Sequence, residues 1–343
     1  MMVHPLGFNI TLLDAGGVFR EGTSRIVEDL FSPDFNLLLL SKNGQHNVHN
    51  NLDKFVPNPS HLPPFCKSSV DTALEMFEFI GKLLGMSLRA KLFLPFEFPP
   101  LIWKKIVGED VSQDDLFAID AISCKLLDEI RYCDSDAKEP VTDEEQFQAR
   151  FTDKISFVFS GSDGVERELV SCGGKKRIVT FANRLEYCDA VVAARLSEFD
   201  AAVAAMRKGL GEVVPLRILL LFSALQLEEL VCGSPTFDIE LWKANTETSG
   251  LSPTAVSLFW KVIESLPQKE QMGFVRFAWG RSRLPPAKEF NVKMRLSSGG
   301  RAALPVSHTC FFSVELPEYK TEEEMRHGIL TAIHFGVGGI LMG

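Results

Sequence analysis

From Asp71 to Leu88 the apolar side chains Leu74, Phe77, Leu84 and Leu88 recur at helical spacing, and Phe79, Ile80, Leu83 and Met86 widen that stripe until little helix surface is left for water. A helix of this kind has to be covered by other protein, so the chain must build a core thick enough to enclose it. Gly81 and Gly85 stand four apart on one face. With Glu75, Glu78 and Lys82 on the same segment, that spacing predicts close helix packing in a globular core, not association within a membrane. A length of 343 residues and a hydrophobic fraction of 45% leave room for two or more domains around such a core.

The remaining periodicity predicts an α+β fold. The first seventy residues are mixed and loop-rich, with Pro57, Pro59, Pro63 and Pro64 marking turns. A second helix is expected from Leu116 to Ile130. The period then becomes alternating at Ile155, Phe157 and Phe159, the run Ser160 to Gly164 supplies turn chemistry, and Leu169-Val170 and Ile178-Val179 predict two further short strands. A long alanine-rich helix is expected from Asn183 to Lys208, with Gly209 as its left-handed C-terminal cap. Ser223 and Gln226 form a capping box for a helix through Leu225, Leu227 and Val231, which Cys232-Gly233-Ser234-Pro235 breaks; a hinge is expected there. Beyond it, Ser252 caps a helix through Val256, Phe259, Trp260 and Ile263 that Pro267 stops, and the next helix ends near Gly280. Phe290, Val292, Met294 and Leu296 alternate, as do Phe312, Val314 and Leu316; Thr321 to Glu324 then caps a helix that buries Met325, Ile329, Ala332 and Ile333.

Composition removes several functions. A net charge of -9 disfavours nucleic acid and anionic membrane as partners, and Lys175-Lys176-Arg177 reads as a solvated turn. Seven cysteines, an odd number with no Cys-x-x-Cys pair, encode neither a disulfide framework nor a zinc site, and point to a reducing compartment. No apolar run is long enough to span a bilayer and the start lacks signal-peptide character, so the expectation is a cytoplasmic or nuclear protein. His46, His49 and His61 lack an acidic or thiolate partner at ligand spacing, and Gly336, Gly338, Gly339 and Gly343 follow no strand and open no helix. Neither metal nor cofactor is expected.

Chemistry concentrates in Leu304-Pro305-Val306-Ser307-His308-Thr309-Cys310-Phe311-Phe312, followed by Leu316-Pro317-Glu318-Tyr319. A thiol beside a histidine and a hydroxyl at the edge of a strand suits nucleophilic work, while a plain buried cysteine is the alternative that these residues alone leave open. The whole string resembles the cysteine signature of HECT-type ubiquitin ligases. Asp14-Ala15-Gly16-Gly17-Val18-Phe19-Arg20-Glu21, Phe79-Ile80-Gly81-Lys82-Leu83-Leu84-Gly85-Met86 and Phe277-x-x-Gly280-x-Ser282-Arg283-Leu284-Pro285 are similar to further elements of that family, so the resemblance covers almost the full length. The wording from Phe274 to Pro285 most resembles the HERC-type branch.

The resemblance implies a bilobed domain: a mainly helical N-lobe over 1–232, with a small β-containing subdomain at about 120–208 that holds the ubiquitin-conjugating enzyme, a hinge at 233–235 (Gly233, Ser234) and a smaller α/β catalytic C-lobe over 236–343. It implies ubiquitin, a conjugating enzyme and a protein substrate as partners. Cys310 would accept ubiquitin as a thioester and pass it to a lysine, with His308 and Thr309 beside it. If the strand stays extended, His308 shares a face with Cys310 and Thr309 points the other way. The resemblance maps the docking groove onto Leu126, Tyr187 and Val191, which read equally as core residues. Arg195 takes the place of an arginine that some members bring to the transfer site, its alternative being a helix-surface salt bridge. Ile340, fourth from the end, stands where the family commonly has a tail phenylalanine that docks between the lobes. A ubiquitin-binding scaffold without turnover is the competing reading. A Cys-His peptidase fits Cys310 and His308 but leaves the other family-like segments unexplained.

Overall fold

The computed structural model describes residues 17–64, 70–135, 139–151, 155–170, 173–234, 238–280, 283–285, 287, 293–300 and 302–336. It is a mixed helical and sheet fold whose described residues divide into two compact units. One is made of the described residues within 28–91 and 96–228, the other of those within 17–27, 92–95 and 229–336.

The chain enters through α1 (Gly17–Leu30), β1 (Leu38–Leu40), α2 (Lys42–His46) and β2 (Phe55–Pro57), β1 and β2 forming an antiparallel pair. The central helix α3 (Val70–Ala90) buries Phe77, Ile80, Leu83 and Leu84 completely or nearly so. Next come α4 (Pro100–Val107), α5 (Gln113–Phe117), α6 (Ala121–Arg131), α7 (Glu144–Arg150), β3 (Val158–Ser160), β4 (Glu166–Glu168), α8 (Arg184–Ser197) and α9 (Asp200–Val213). The glycines of α3 do what their spacing predicts. A Cβ on Gly81 would lie 1.9 Å from the Met206 carbonyl oxygen of α9, and one on Gly209 would lie 1.8 Å from that of Glu78. The two helices cross backbone against backbone.

Four expectations are corrected here. Gly209 is inside α9 and serves this crossing; it is not a cap, and the helix expected over 183–208 is two helices divided at Glu198 and Phe199. Alanine-rich sequence is silent about that break because alanine favours helix without choosing what it packs on. What ends α8 is tertiary: Glu198 is buried and accepts from the backbone N–H and hydroxyl of Ser162 at 3.0 and 2.9 Å. Likewise the helix expected over 116–130 is broken by Asp120, whose carboxylate caps α6 by accepting from the Ser123 N–H at 3.1 Å. In the small sheet, β3 pairs with the charged segment Glu166–Glu168; of the two expected further strands only a single bridge, Ser156 to Ile178, is present.

The base of this sheet and helix group is tied to the loop-and-helix segment 41–61. Asn43 donates to the Phe117 carbonyl and accepts from the Ala121 N–H, Asn51 donates to Ala118, Gln45 donates to Ser162, and the Ser60 hydroxyl donates to Asp163. Its apolar interior is Leu127, Ile130, Cys133, Phe147, Phe157, Tyr187, Cys188 and Val191.

Past α10 (Ala224–Cys232), opened by the expected Ser223 and Gln226 box, follow α11 (Ile239–Ala244), β5 (Thr246–Ser249), α12 (Pro253–Ser265), α13 (Gln268–Trp279), β6 (Met294–Ser298), β7 (Val306–His308), β8 (Ser313–Leu316) and α14 (Glu322–Gly336). The strands make one sheet in the order β5-β6-β8-β7, parallel except for the β7–β8 pair. Trp242, Phe259, Phe274, Met294, Leu296 and Val314 are fully buried in its core, and α14 contributes the four predicted residues Met325, Ile329, Ala332 and Ile333. Phe290 and Val292 lie outside the described residues. Among the described residues no helix is long and apolar enough to cross a membrane.

Candidate active site

Strands β7 and β8 form an antiparallel hairpin whose last pair is His308 opposite Ser313. Four residues, 309–312, therefore close the loop, and Cys310 sits at its tip in the single 3-10 turn Thr309–Phe311. The Cys310 side chain lies outside what the structure describes, so its position is that of its backbone. The turn closes when the Phe312 N–H donates to the Thr309 carbonyl at 3.5 Å. Phe312 then adopts φ 48°, a left-handed conformation that a bulky side chain rarely takes. Burial compensates: Phe312 is 3% exposed, its ring stacks on Trp279 at 4.7 Å and 17°, and its carbonyl accepts from the Arg295 N–H of β6 at 2.9 Å. Thr309 comes against the end of α13, its Cβ 3.8 Å from where a Cβ on Gly280 would lie. Gly280, at φ 72°, caps that helix as expected. Phe311, by contrast, is 64% exposed, so the loop presents an apolar ring to solvent next to Cys310.

His308 and Cys310 do not share an extended strand. The chain leaves β7 at His308 and turns, so the same-face expectation does not hold. His308 instead pairs with Glu315, Nε2 to Oε1 at 3.1 Å, both side chains exposed. The other described cysteines make poor nucleophiles. Cys124, Cys133, Cys188 and Cys232 are buried, and burial pushes the Cys124 thiol up to about 12 and the Cys188 thiol up to about 11.

Leu126, Tyr187, Val191 and Arg195 belong to the other compact unit. Arg195 makes no helix-surface salt bridge: it is 1% exposed and donates to Asp120 at 3.0 Å and Glu198 at 3.1 Å, with the Ser160 carbonyl and Ser162 hydroxyl at 3.4 Å. Desolvation raises the Glu198 carboxyl, against the opposing pull of Arg195 and the Ser162 hydrogen bonds. Leu126 is exposed on α6, but Tyr187 and Val191 are buried in the subdomain core, the Tyr187 hydroxyl donating to the Val158 carbonyl at 3.3 Å. Two apolar residues escaped the sequence reading. Ile122 is one turn before Leu126 on the same face of α6 and Tyr132 follows its end; both are half exposed or more, whereas Cys124, Leu127 and Ile130 of the same helix are buried. The apolar 122–126 spacing on a helix that already has a buried stripe was the available signal. Lys125, Asp128, Glu129, Tyr132, Ser135 and Arg150 line an open cavity beside them.

Gly233 follows α10 at φ 88°, its N–H donating to Glu229, and the Ser234 N–H donates to the Leu284 carbonyl at 2.9 Å. Pro235 and Ile340 lie outside the described residues. His49 packs edge-on against Phe117, His61 meets Asn36, and no metal-binding group is present among the described residues. Nor is Arg177 simply solvated: it grips Glu186 with two hydrogen bonds and lies 3.8 Å from the Phe157 ring centre.

Cys310 thus sits at a hairpin tip of a small sheet in one unit of the chain, and the other unit is mainly helical. Comparison with known proteins identifies the family. The profile of the HECT-domain (ubiquitin-transferase) family matches residues 24–340, and the chain belongs to that family. It is 33% identical over 331 residues to the E3 ubiquitin-protein ligase HERC2 of Mus musculus, covering 94% of this chain and 6% of that one. It is 29% identical over 343 residues to the E3 ubiquitin-protein ligases ptr1 of Schizosaccharomyces pombe and TOM1 of Saccharomyces cerevisiae, covering 95% of this chain and 10% of each. The chain thus spans a tenth or less of the length of these curated relatives.

Proposed function

We propose that this chain takes ubiquitin from a conjugating enzyme as a thioester on Cys310 and passes it to a lysine of a protein substrate. The observation that carries the reading is Cys310 at the tip of a hairpin loop anchored by Phe312 on Trp279, in a chain of the HECT-domain family. In the first step the Cys310 sulfur attacks the carbonyl of the donor thioester, a C–S bond forms, and the donor sulfur leaves carrying the proton. One thioester replaces another, so position matters more than driving force. The exposed Phe311 ring supplies apolar surface on the same loop.

Two lobes are part of the proposal, with Gly233 and Ser234 at the start of the segment that lets Cys310 reach donor and acceptor in turn. We assign conjugating-enzyme docking to Ile122, Leu126 and Tyr132, whose exposure leaves apolar surface to cover, and read Tyr187 and Val191 as the core beneath α6. Arg195, already engaged by two carboxylates, is read as a support for that subdomain and not as a group at the thioester. Ile340 is proposed as the tail's apolar anchor during lysine transfer. Such chemistry belongs in the cytosol or nucleus.

The test is a gel. With activating enzyme, conjugating enzyme, ubiquitin and ATP, the chain should form a thiol-sensitive ubiquitin adduct that Cys310→Ala abolishes and Cys310→Ser converts to a thiol-resistant ester. An adduct that persists in Cys310→Ala would sink the assignment.

A further inference from the structure

The hairpin that carries Cys310 also holds an acid with no role so far. In β8 the buried positions are Val314 and Leu316, so Ser313 and Glu315 face outward. The register sets His308 opposite Ser313 and Val306 opposite Glu315, which makes His308 and Glu315 diagonal neighbours on one face. Their side chains meet at 3.1 Å, Nε2 to Oε1. An ionised carboxylate can only accept, so Nε2 carries the hydrogen and donates it; in the neutral ring Nδ1 then keeps its lone pair. Arg295 of β6, opposite Ser313 in the register, makes no ion pair with Glu315, and His308 is the only ion-pair partner of that acid among the described residues.

We infer that Glu315 is a positioning residue for lysine transfer: it holds His308 as the Nε2–H tautomer and presents a bare Nδ1 at the base of the Cys310 loop. The inference rests on the transferase reading above. In the step concerned, the lysine amine attacks the thioester carbonyl carbon, an N–C bond forms and the C–S bond breaks. The nitrogen gives one proton to Nδ1 of His308, and the departing Cys310 sulfur takes that proton back, leaving an amide, a thiol and a neutral imidazole. Glu315 touches none of the reacting atoms. An exposed imidazole without it samples both tautomers and several rotamers, so only part of the population has a base in place. An exposed pair of this kind adds little to fold stability, so its loss is read in turnover and not in melting.

The full chain is loaded with ubiquitin to equal starting amounts of adduct in wild type, Glu315→Ala, Glu315→Gln, His308→Ala and the double alanine variant, then chased with free lysine. Glu315→Ala is expected to slow discharge about tenfold, in the maximal rate and not in the lysine concentration needed for half of it. Glu315→Gln, which keeps an acceptor oxygen in place, recovers most of the loss. The double variant is no slower than His308→Ala, because Glu315 acts only through that ring. Nitrogen-15 signals of the neutral His308 ring report the Nε2–H tautomer alone in wild type and a mixture with the Nδ1–H tautomer in Glu315→Ala, whether or not the chain transfers ubiquitin. A normal adduct with wild-type discharge in Glu315→Ala, or losses that add in the double variant, overturns this role alone. A wild-type chain that never forms the adduct overturns the transferase reading and this role together.

Discussion

Exposure separates the residues of the proposed docking surface from those beneath it, and the two groups respond to substitution in opposite ways. Tyr187 is 7% exposed, packs edge-on against Phe157 at 5.6 Å and donates its hydroxyl to Val158. Truncating a buried aromatic to alanine costs about 3–5 kcal/mol. The hydrogen bond alone is worth about 1 kcal/mol, so Tyr187→Phe should lose only that much. Against a total stability of about 5–15 kcal/mol, Tyr187→Ala is severe. Leu126 is 47% exposed on the outer face of α6, and its replacement by alanine should change stability by no more than about 0.5 kcal/mol. At the centre of an interface, however, the same change costs about 1–3 kcal/mol of binding, about 5- to 150-fold in affinity. Thermal unfolding and titration of a labelled conjugating enzyme, run on Tyr187→Ala, Tyr187→Phe, Leu126→Ala and Ile122→Ala, give a crossed pattern: melting falls for the first, binding for the last two. If Tyr187→Ala melts like wild type but loses binding, or Leu126→Ala melts early and binds normally, the assignment of core and surface is wrong.

Other outcomes follow from the packing and the charges. Gly209→Ala should destabilise by about 1–3 kcal/mol or more despite alanine's better helix propensity, because the new Cβ meets the Glu78 carbonyl; Gly22→Ala on α1, with nothing within 4 Å, should not, and calorimetry of the two settles whether the crossing governs. Arg195→Ala leaves Asp120 and Glu198 buried without their cation and should cost about 3–5 kcal/mol, visible as earlier loss of the subdomain in hydrogen exchange; wild-type protection there would refute the support role. Burial pushes the Asp163 carboxyl up, but hydrogen bonds from Arg167, Ser60 and the Val165 N–H outweigh it and hold the group at about 2, below its ordinary 3.8. A folded value below the unfolded one means stability present above about pH 4 and lost as pH falls toward 2, on the order of 2 kcal/mol. Asp163→Asn should therefore lie below wild type at neutral pH and converge with it under acid; parallel curves would show that Asp163 contributes nothing through its charge.

Signals that reach only a few residues along the chain were legible from the sequence. The capping boxes at Ser223 and Thr321, the Ser252 cap, the Gly280 stop, the buried stripe of α14 and the glycine spacing of α3 are all encoded within one or two helical turns, and each is present. The string around Cys310 likewise identified the family without coordinates. Tertiary structure decided what depends on partners far away in sequence. Glu198 ends a helix because Ser162 lies beside it, and Arg195 is interior because Asp120 meets it there. Glu166–Glu168 is a strand only because Val158–Ser160 offers an edge. Leu126 and Tyr187 are both apolar residues on helices, and nothing local distinguishes them; one is left exposed and the other covered by Phe157 and its neighbours. Cys310 lies in a turn instead of a strand because Phe312 is held in a left-handed conformation by the Trp279 ring, a contact across 33 residues that local periodicity does not encode.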